Sequence, residues 1–118
     1  MKTAIICFSQ RGLNIAGKLK TGLKKSGHEA EISVKSRYIK NRDVHCVTES
    51  LNDWTARQFR EKEALFFIGA CGIAVRAIAP FVKSKDTDPA VIAVDEAASF
   101  AVPLLSGHLG GANDLAEQ

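Results

Sequence analysis

The stretch Ala64-Leu65-Phe66-Phe67-Ile68-Gly69-Ala70-Cys71-Gly72-Ile73-Ala74-Val75-Arg76-Ala77-Ile78 decides how this chain folds. Residues 64–68 form a short, unbroken apolar run, the pattern of a strand covered on both faces. The glycines at 69 and 72 break the run, and Ile73, Ala74, Ala77 and Ile78 then recur at helical spacing. Pro80 should stop or kink that helix, because it has no N–H to donate to the preceding turn. A buried strand that runs through a glycine turn into a helix is the repeating unit of an α/β protein with a parallel sheet.

The same unit opens the chain. Residues 4–8 are a second short apolar run, followed by Leu13, Ala16, Leu19 and Leu23 at helical spacing as far as Gly27, which sits where a helix ends. Ala30, Ile32 and Val34 then alternate with Glu31, Ser33 and Lys35, as in a half-exposed strand. Residues 36–43 are polar and basic and read as a surface loop, and residues 44–47 as a short edge strand. Ser50 is the expected N-cap of a helix over residues 51–61, with Asp53 in its first turn and Leu51, Trp54 and Gln58 on successive turns.

Toward the other end, residues 83–89 form a turn-rich polar connection and residues 90–94 a further apolar strand. Another run, residues 100–105, follows after only five residues. A parallel crossover needs a dozen or more, so these two strands are expected to pair as an antiparallel hairpin. A glycine-rich loop follows at residues 106–111, and residues 112–118 start a helix that the sequence does not finish, as in the amino-terminal part of a longer polypeptide. The expected architecture is a single α/β domain over residues 1–118: three layers, a mostly parallel sheet with helices on both faces, and a late antiparallel hairpin.

Composition narrows the function. The 118 residues are 46% apolar, enough for one core, and 16 Lys and Arg against 13 Asp and Glu leave a net charge of +3. That mild excess suits an anionic small molecule and is too weak and dispersed for nucleic acid. Cys7, Cys46 and Cys71 are odd in number and far apart, which suggests neither a disulfide framework nor a zinc cluster. The first residues are neither a signal peptide nor a membrane span, so a cytoplasmic protein is expected.

Four places carry candidate chemistry. In Ser106-Gly107-His108-Leu109-Gly110-Gly111-Ala112-Asn113, the glycines permit close backbone approach and a helix start offers free amides to a carboxylate or phosphate. His108 there is either an acid/base and hydrogen-bond donor or a local capping residue. The turn from Gly69 to Gly72 is the kind that binds ligands at the carboxyl edge of a parallel sheet. Arg76, one turn into the following helix, either pairs with an anionic substituent or is simply exposed. Cys71 reads as a small packing residue rather than a nucleophile.

Asp95 and Glu96 end a strand on the same edge as Gly69. They form either a carboxylate pair for general-base work on water or a plain polar turn. The expected hairpin sends the His108 loop to the opposite edge from Gly69 and Asp95. Finally, residues 9–14 occupy the position where flavodoxin-like proteins hold a phosphate, although an ordinary β-α turn explains them as well.

The runs at 67–76, 88–91, 94–96 and 104–113 resemble, in order and spacing, the central signature of the CbiG family of cobalamin biosynthesis. The resemblance is specific from about residue 64 onward. It implies a cobalt-precorrin-5A hydrolase of the oxygen-independent route, in which water opens a δ-lactone on a cobalt-corrinoid and a two-carbon fragment leaves as acetaldehyde. It further implies that His108 or the pair Asp95 and Glu96 does acid/base work. Gly69, Gly72, Ser106, Gly107, Gly110, Gly111 and Asn113 would then contact anionic groups, and Arg76 would hold a peripheral carboxylate. No cofactor or protein-bound metal is required, since the cobalt arrives within the substrate, and the expected partners are that substrate and further domains of the same polypeptide. The alternatives are a corrinoid-binding or domain-assembly module without catalysis and a flavodoxin-like nucleotide-binding domain.

Overall fold

The structure is a computed structural model that describes residues 1–36, 39, 44–84, 87–97 and 99–106. Those residues form a six-stranded sheet: β1 (Lys2–Cys7), β2 (Glu29–Val34), β3 (His45–Cys46), β4 (Ala64–Ile68), β5 (Ala90–Val94) and β6 (Ala101–Ser106). Its helices are α1 (Gln10–Lys25), α2 (Leu51–Glu61) and α3 (Cys71–Ile78), the last continuing into a 3₁₀ turn at Ala79–Phe81. The strand order is β3-β2-β1-β4-β5-β6. All pairs are parallel except β5 with β6, which run antiparallel as the short connection between them requires.

Local chemistry sets the ends of the helices. Ser9 caps α1 by accepting from the Gly12 N–H, and Ser50 caps α2 by accepting from the Asp53 N–H. At the far end of α1 the N–H of His28 reaches the Leu23 carbonyl and that of Gly27 the Lys24 carbonyl, a Schellman closure. It puts Gly27 at φ +85°, where glycine has no steric penalty. Pro80 falls in the 3₁₀ turn just beyond α3 and ends the helix as expected.

The unbroken apolar strands follow from burial on both faces. Ala64, Phe66 and Ile68 of β4 face the layer of α1, together with Ile5, Cys7, Leu13, Ala16, Leu23 and Ile92. Leu65 and Phe67 face the layer of α2 and α3, together with Ile6, Trp54, Ala74, Ala77, Ile78 and Val91. Trp54, fully buried, meets Phe67 edge-on at a ring separation of 6.1 Å and donates from Nε1 to Ser33 Oγ across 3.3 Å. This is the three-layer α/β arrangement expected from the sequence. Among the described residues, no helix is long and apolar enough to cross a membrane.

Candidate active site

The strand order reverses direction between β1 and β4, since the chain builds β2 and β3 on one side and β5 and β6 on the other. In open α/β sheets the crevice outside the carboxyl ends of two such strands is where ligands bind, because the loops diverge there. Here it is bounded by Phe8 and Ser9 after β1, by the Gly69 turn after β4, and by Asp95 and Glu96 after the next strand.

Two glycines shape this edge. Gly69 has φ +155°, which side-chain-bearing residues rarely adopt, and its N–H donates to the Val94 carbonyl across 2.8 Å, tying the exit of β4 to that of β5. Gly12 lets the first turn of α1 settle onto the strands: a Cβ there would stand 3.1 Å from Cys7 Cβ and 3.3 Å from Ser9 Oγ.

The acidic side chains are placed differently from each other. Asp95 closes the hairpin turn. Its Oδ1 accepts from the Phe100 N–H across 2.7 Å and its own N–H donates to the Phe100 carbonyl across 3.2 Å. Glu96 reaches back over the sheet edge, and Ser9 Oγ donates to its Oε2 across 2.9 Å. Beneath them lies Cys7, fully buried, its Sγ–H directed to the Ser33 carbonyl 3.6 Å away. Desolvation, and after it the charge of Glu96, push the Cys7 thiol up to about 11. Cys7 is therefore a neutral packing group and not a nucleophile.

Gly69, Asp95 and Glu96 thus share one edge, and the structure adds Ser9 and Gly12 to them. Gly72 and Arg76 lie exposed on the first turns of α3. Ala70, the N-cap of α3, has no side-chain oxygen to offer, so the amides at the start of α3 lack the side-chain acceptor that Ser9 and Ser50 give the other two helices. Cys71 corrects the sequence reading: it is exposed rather than packed, because the helix begins at this residue with its first turn turned to solvent.

Ser106 is not brought to this edge. It pairs with Ala90 at the start of β5, and five residues at about 3.3 Å each separate the two ends by roughly 13 Å or more. Gly107, His108, Gly110, Gly111 and Asn113 lie outside the described residues. A cleft of about 440 Å³, lined by Phe59, Arg60, Phe81, Lys83, Thr87 and Asp88 among others, also opens at the amino edge.

The loop at residues 9–14 is not arranged for phosphate. Ser9 Oγ is already engaged by the Gly12 N–H and by Glu96, and Glu96 places a carboxylate where an anion would have to sit. The contact between Ser9 and Glu96 spans 87 positions of sequence, and nothing local announces it.

Residues 53–118, more than half of the chain, match the family described as cobalamin synthesis G N-terminal. The chain belongs to that family. The cobalt-precorrin-5A hydrolase of Salmonella typhimurium is 58% identical over 62 residues, which cover 52% of this chain and 18% of that protein. The cobalt-precorrin-5A hydrolase of Priestia megaterium is 29% identical over 119 residues, covering 98% of this chain and 31% of that protein. Among solved structures, that of a cobalamin biosynthesis protein G homolog from Sulfolobus solfataricus superposes with a TM-score of 0.72 at 26% identity, covering 98% of this chain and 32% of the other. The chain therefore spans less than a third of the length of these relatives. The matched stretch contains the Gly69 turn, Asp95 and Glu96, whereas Ser9 and Gly12 lie before it.

Proposed function

We propose that this chain is the amino-terminal part of a cobalt-precorrin-5A hydrolase, and that the edge carrying Glu96 and the start of α3 is where water meets the lactone. The observation that carries this reading is that the family match over residues 53–118 includes both the Gly69 turn and Glu96, which the fold sets side by side after β4 and β5. In such a site Glu96 takes a proton from water as the oxygen attacks the lactone carbonyl. The amides of residues 70–72, free of a side-chain cap, stabilise the oxyanion that forms. Collapse of that intermediate breaks the ring C–O bond, and the departing oxygen takes up the proton that Glu96 removed from water. The alcohol so formed then loses its proton as the C–C bond to the macrocycle breaks, so that the two-carbon fragment leaves as acetaldehyde and the electron pair and a proton stay with the macrocycle.

Arg76, on the same helix as those amides, is the group we assign to a peripheral carboxylate of the macrocycle. Gly107, Gly110, Gly111 and Asn113 remain candidates for anion contacts in a second, separate site. The cobalt belongs to the substrate and no resident cofactor is invoked. The location proposed is the cytoplasm.

A second reading, a corrinoid-binding module without catalysis of its own, is favoured by one observation: Ser106, where the second glycine loop starts, stands at the opposite edge from Glu96. Acetaldehyde release decides between the two. The lactone-bearing cobalt-precorrin is given to the 118-residue chain and, beside it, to a polypeptide of the relatives' length. Release by the short chain is expected if residues 1–118 hold the catalytic groups. Release by the long polypeptide alone makes the chain a binding module, and no release from either overturns the hydrolase reading.

A further inference from the structure

We propose that Ser9 is a positioning residue for Glu96: it holds one carboxylate oxygen in place so that the other is presented to the attacking water. The inference rests on the hydrolase reading above, and it concerns a residue outside the stretch that matches the family.

The argument begins with the hydrogen-bonding capacity of a hydroxyl, which has one proton to give and two lone pairs to receive. The Gly12 N–H donates to Ser9 Oγ across 3.0 Å and occupies a lone pair. The hydroxyl proton is left for Glu96 Oε2, 2.9 Å away. Ser9 itself is held firmly. Its backbone is extended, φ −149° and ψ 167°, and its carbonyl accepts the Leu13 N–H that starts the α1 ladder. Gly12 keeps the geometry tight, because a Cβ there would press on Cys7 Cβ at 3.1 Å and on Ser9 Oγ at 3.3 Å.

Glu96, in contrast, lies in the turn between β5 and β6, where a long side chain is otherwise free to sample several rotamers and ordering it costs entropy. Among the described residues its second oxygen receives no hydrogen bond, which leaves its lone pairs available to water. Asp95 has no such freedom, since Phe100 engages its Oδ1 within the turn. The structure thus separates the adjacent carboxylates: Asp95 shapes the hairpin, and Glu96, oriented by Ser9, faces the crevice.

Ser9 is also the N-cap of α1, so the test must distinguish positioning from folding. Ser9→Gly leaves a tolerated N-cap and brings no charge near Glu96, but it has no proton to give. Ser9→Thr keeps both functions. Acetaldehyde release would be followed in the full-length polypeptide for these variants, for Ser9→Ala, and for Ser9→Ala combined with Glu96→Gln, with thermal midpoints recorded beside the kinetics. The expected result is a kcat about tenfold lower for Ser9→Ala and Ser9→Gly, with KM and the Ser9→Thr rate within about twofold of the parent. The thermal midpoint of Ser9→Gly should stay close to the parent, and Ser9→Ala should cost nothing further once Glu96 is Gln. Full turnover by Ser9→Gly, or a loss of rate that simply follows the loss of stability, overturns the proposal. An unaltered protein that releases no acetaldehyde removes the hydrolase reading and this one with it, a result distinct from an active protein indifferent to residue 9.

Discussion

Gly12 and Cys7 stand so close that a Cβ on Gly12 would lie 3.1 Å from the Cβ of Cys7, a buried atom of β1, so that helix or strand would have to give by a few tenths of an ångström. The absence of a side chain at position 12 therefore fixes how deeply α1 sits on the sheet, and with it where Ser9 ends. Gly12→Ala is expected to destabilise the protein by about 1–3 kcal/mol through overpacking, despite the better helix propensity of alanine. Gly22→Ala on the same helix meets nothing within 4 Å and should stabilise by about 0.5–1 kcal/mol. Denaturant unfolding of the two variants should give shifts of opposite sign.

Gly69 makes a different demand. At φ +155° its space is open enough, with Phe8 ring carbons 3.5 and 3.9 Å from a virtual Cβ, so the obstacle to a side chain is the backbone conformation. Gly69→Ala should cost about 1–3 kcal/mol in chemical unfolding. It should also lower turnover beyond that loss, because the same peptide leads into the first amides of α3.

The Cys7 thiol, raised from 9.0 to about 11, carries a pH dependence. Between those values the folded protein holds a proton that the unfolded chain releases, so the contribution is fully present below about pH 9 and fades as pH rises toward 11. Two pKa units correspond to roughly 2–3 kcal/mol. Cys7→Ala should flatten the alkaline decline in stability measured by urea titration from pH 8 to pH 11. At pH 8, iodoacetamide should label the exposed Cys46 and Cys71 and spare Cys7, as read by mass spectrometry.

Asp95 and Glu96 are adjacent yet should respond oppositely to loss of charge. Glu96→Gln should reduce acetaldehyde release by about 100-fold or more with little change in unfolding midpoint, as befits a general base. Asp95→Asn keeps an oxygen for the Phe100 N–H and should leave turnover within about threefold, while Asp95→Ala should lower stability by about 1 kcal/mol through the lost turn bond. The reverse pattern would transfer the base to Asp95.

Much of this protein was legible locally. The run at 64–68, the cap Ser50, the stop at Pro80 and the five-residue link between β5 and β6 are each set by neighbours in sequence, and each element formed close to where those neighbours placed it. An unbroken apolar run signals burial on both faces, and a short link forbids a parallel crossover, so the layers and the sense of the last pair followed.

Only the tertiary structure decided the rest. Which strands lie side by side is a matter of long-range packing, and the reversal between β1 and β4 is what brings Ser9 to Glu96 across 87 positions. Neither residue carries a local sign of the other, because a hydrogen bond between two loop side chains leaves no periodicity in the chain. The division of labour between Asp95 and Glu96, the exposure of Cys71 and the neutral state of Cys7 likewise depend on what surrounds each group in space, and the order of residues along the chain does not encode that directly.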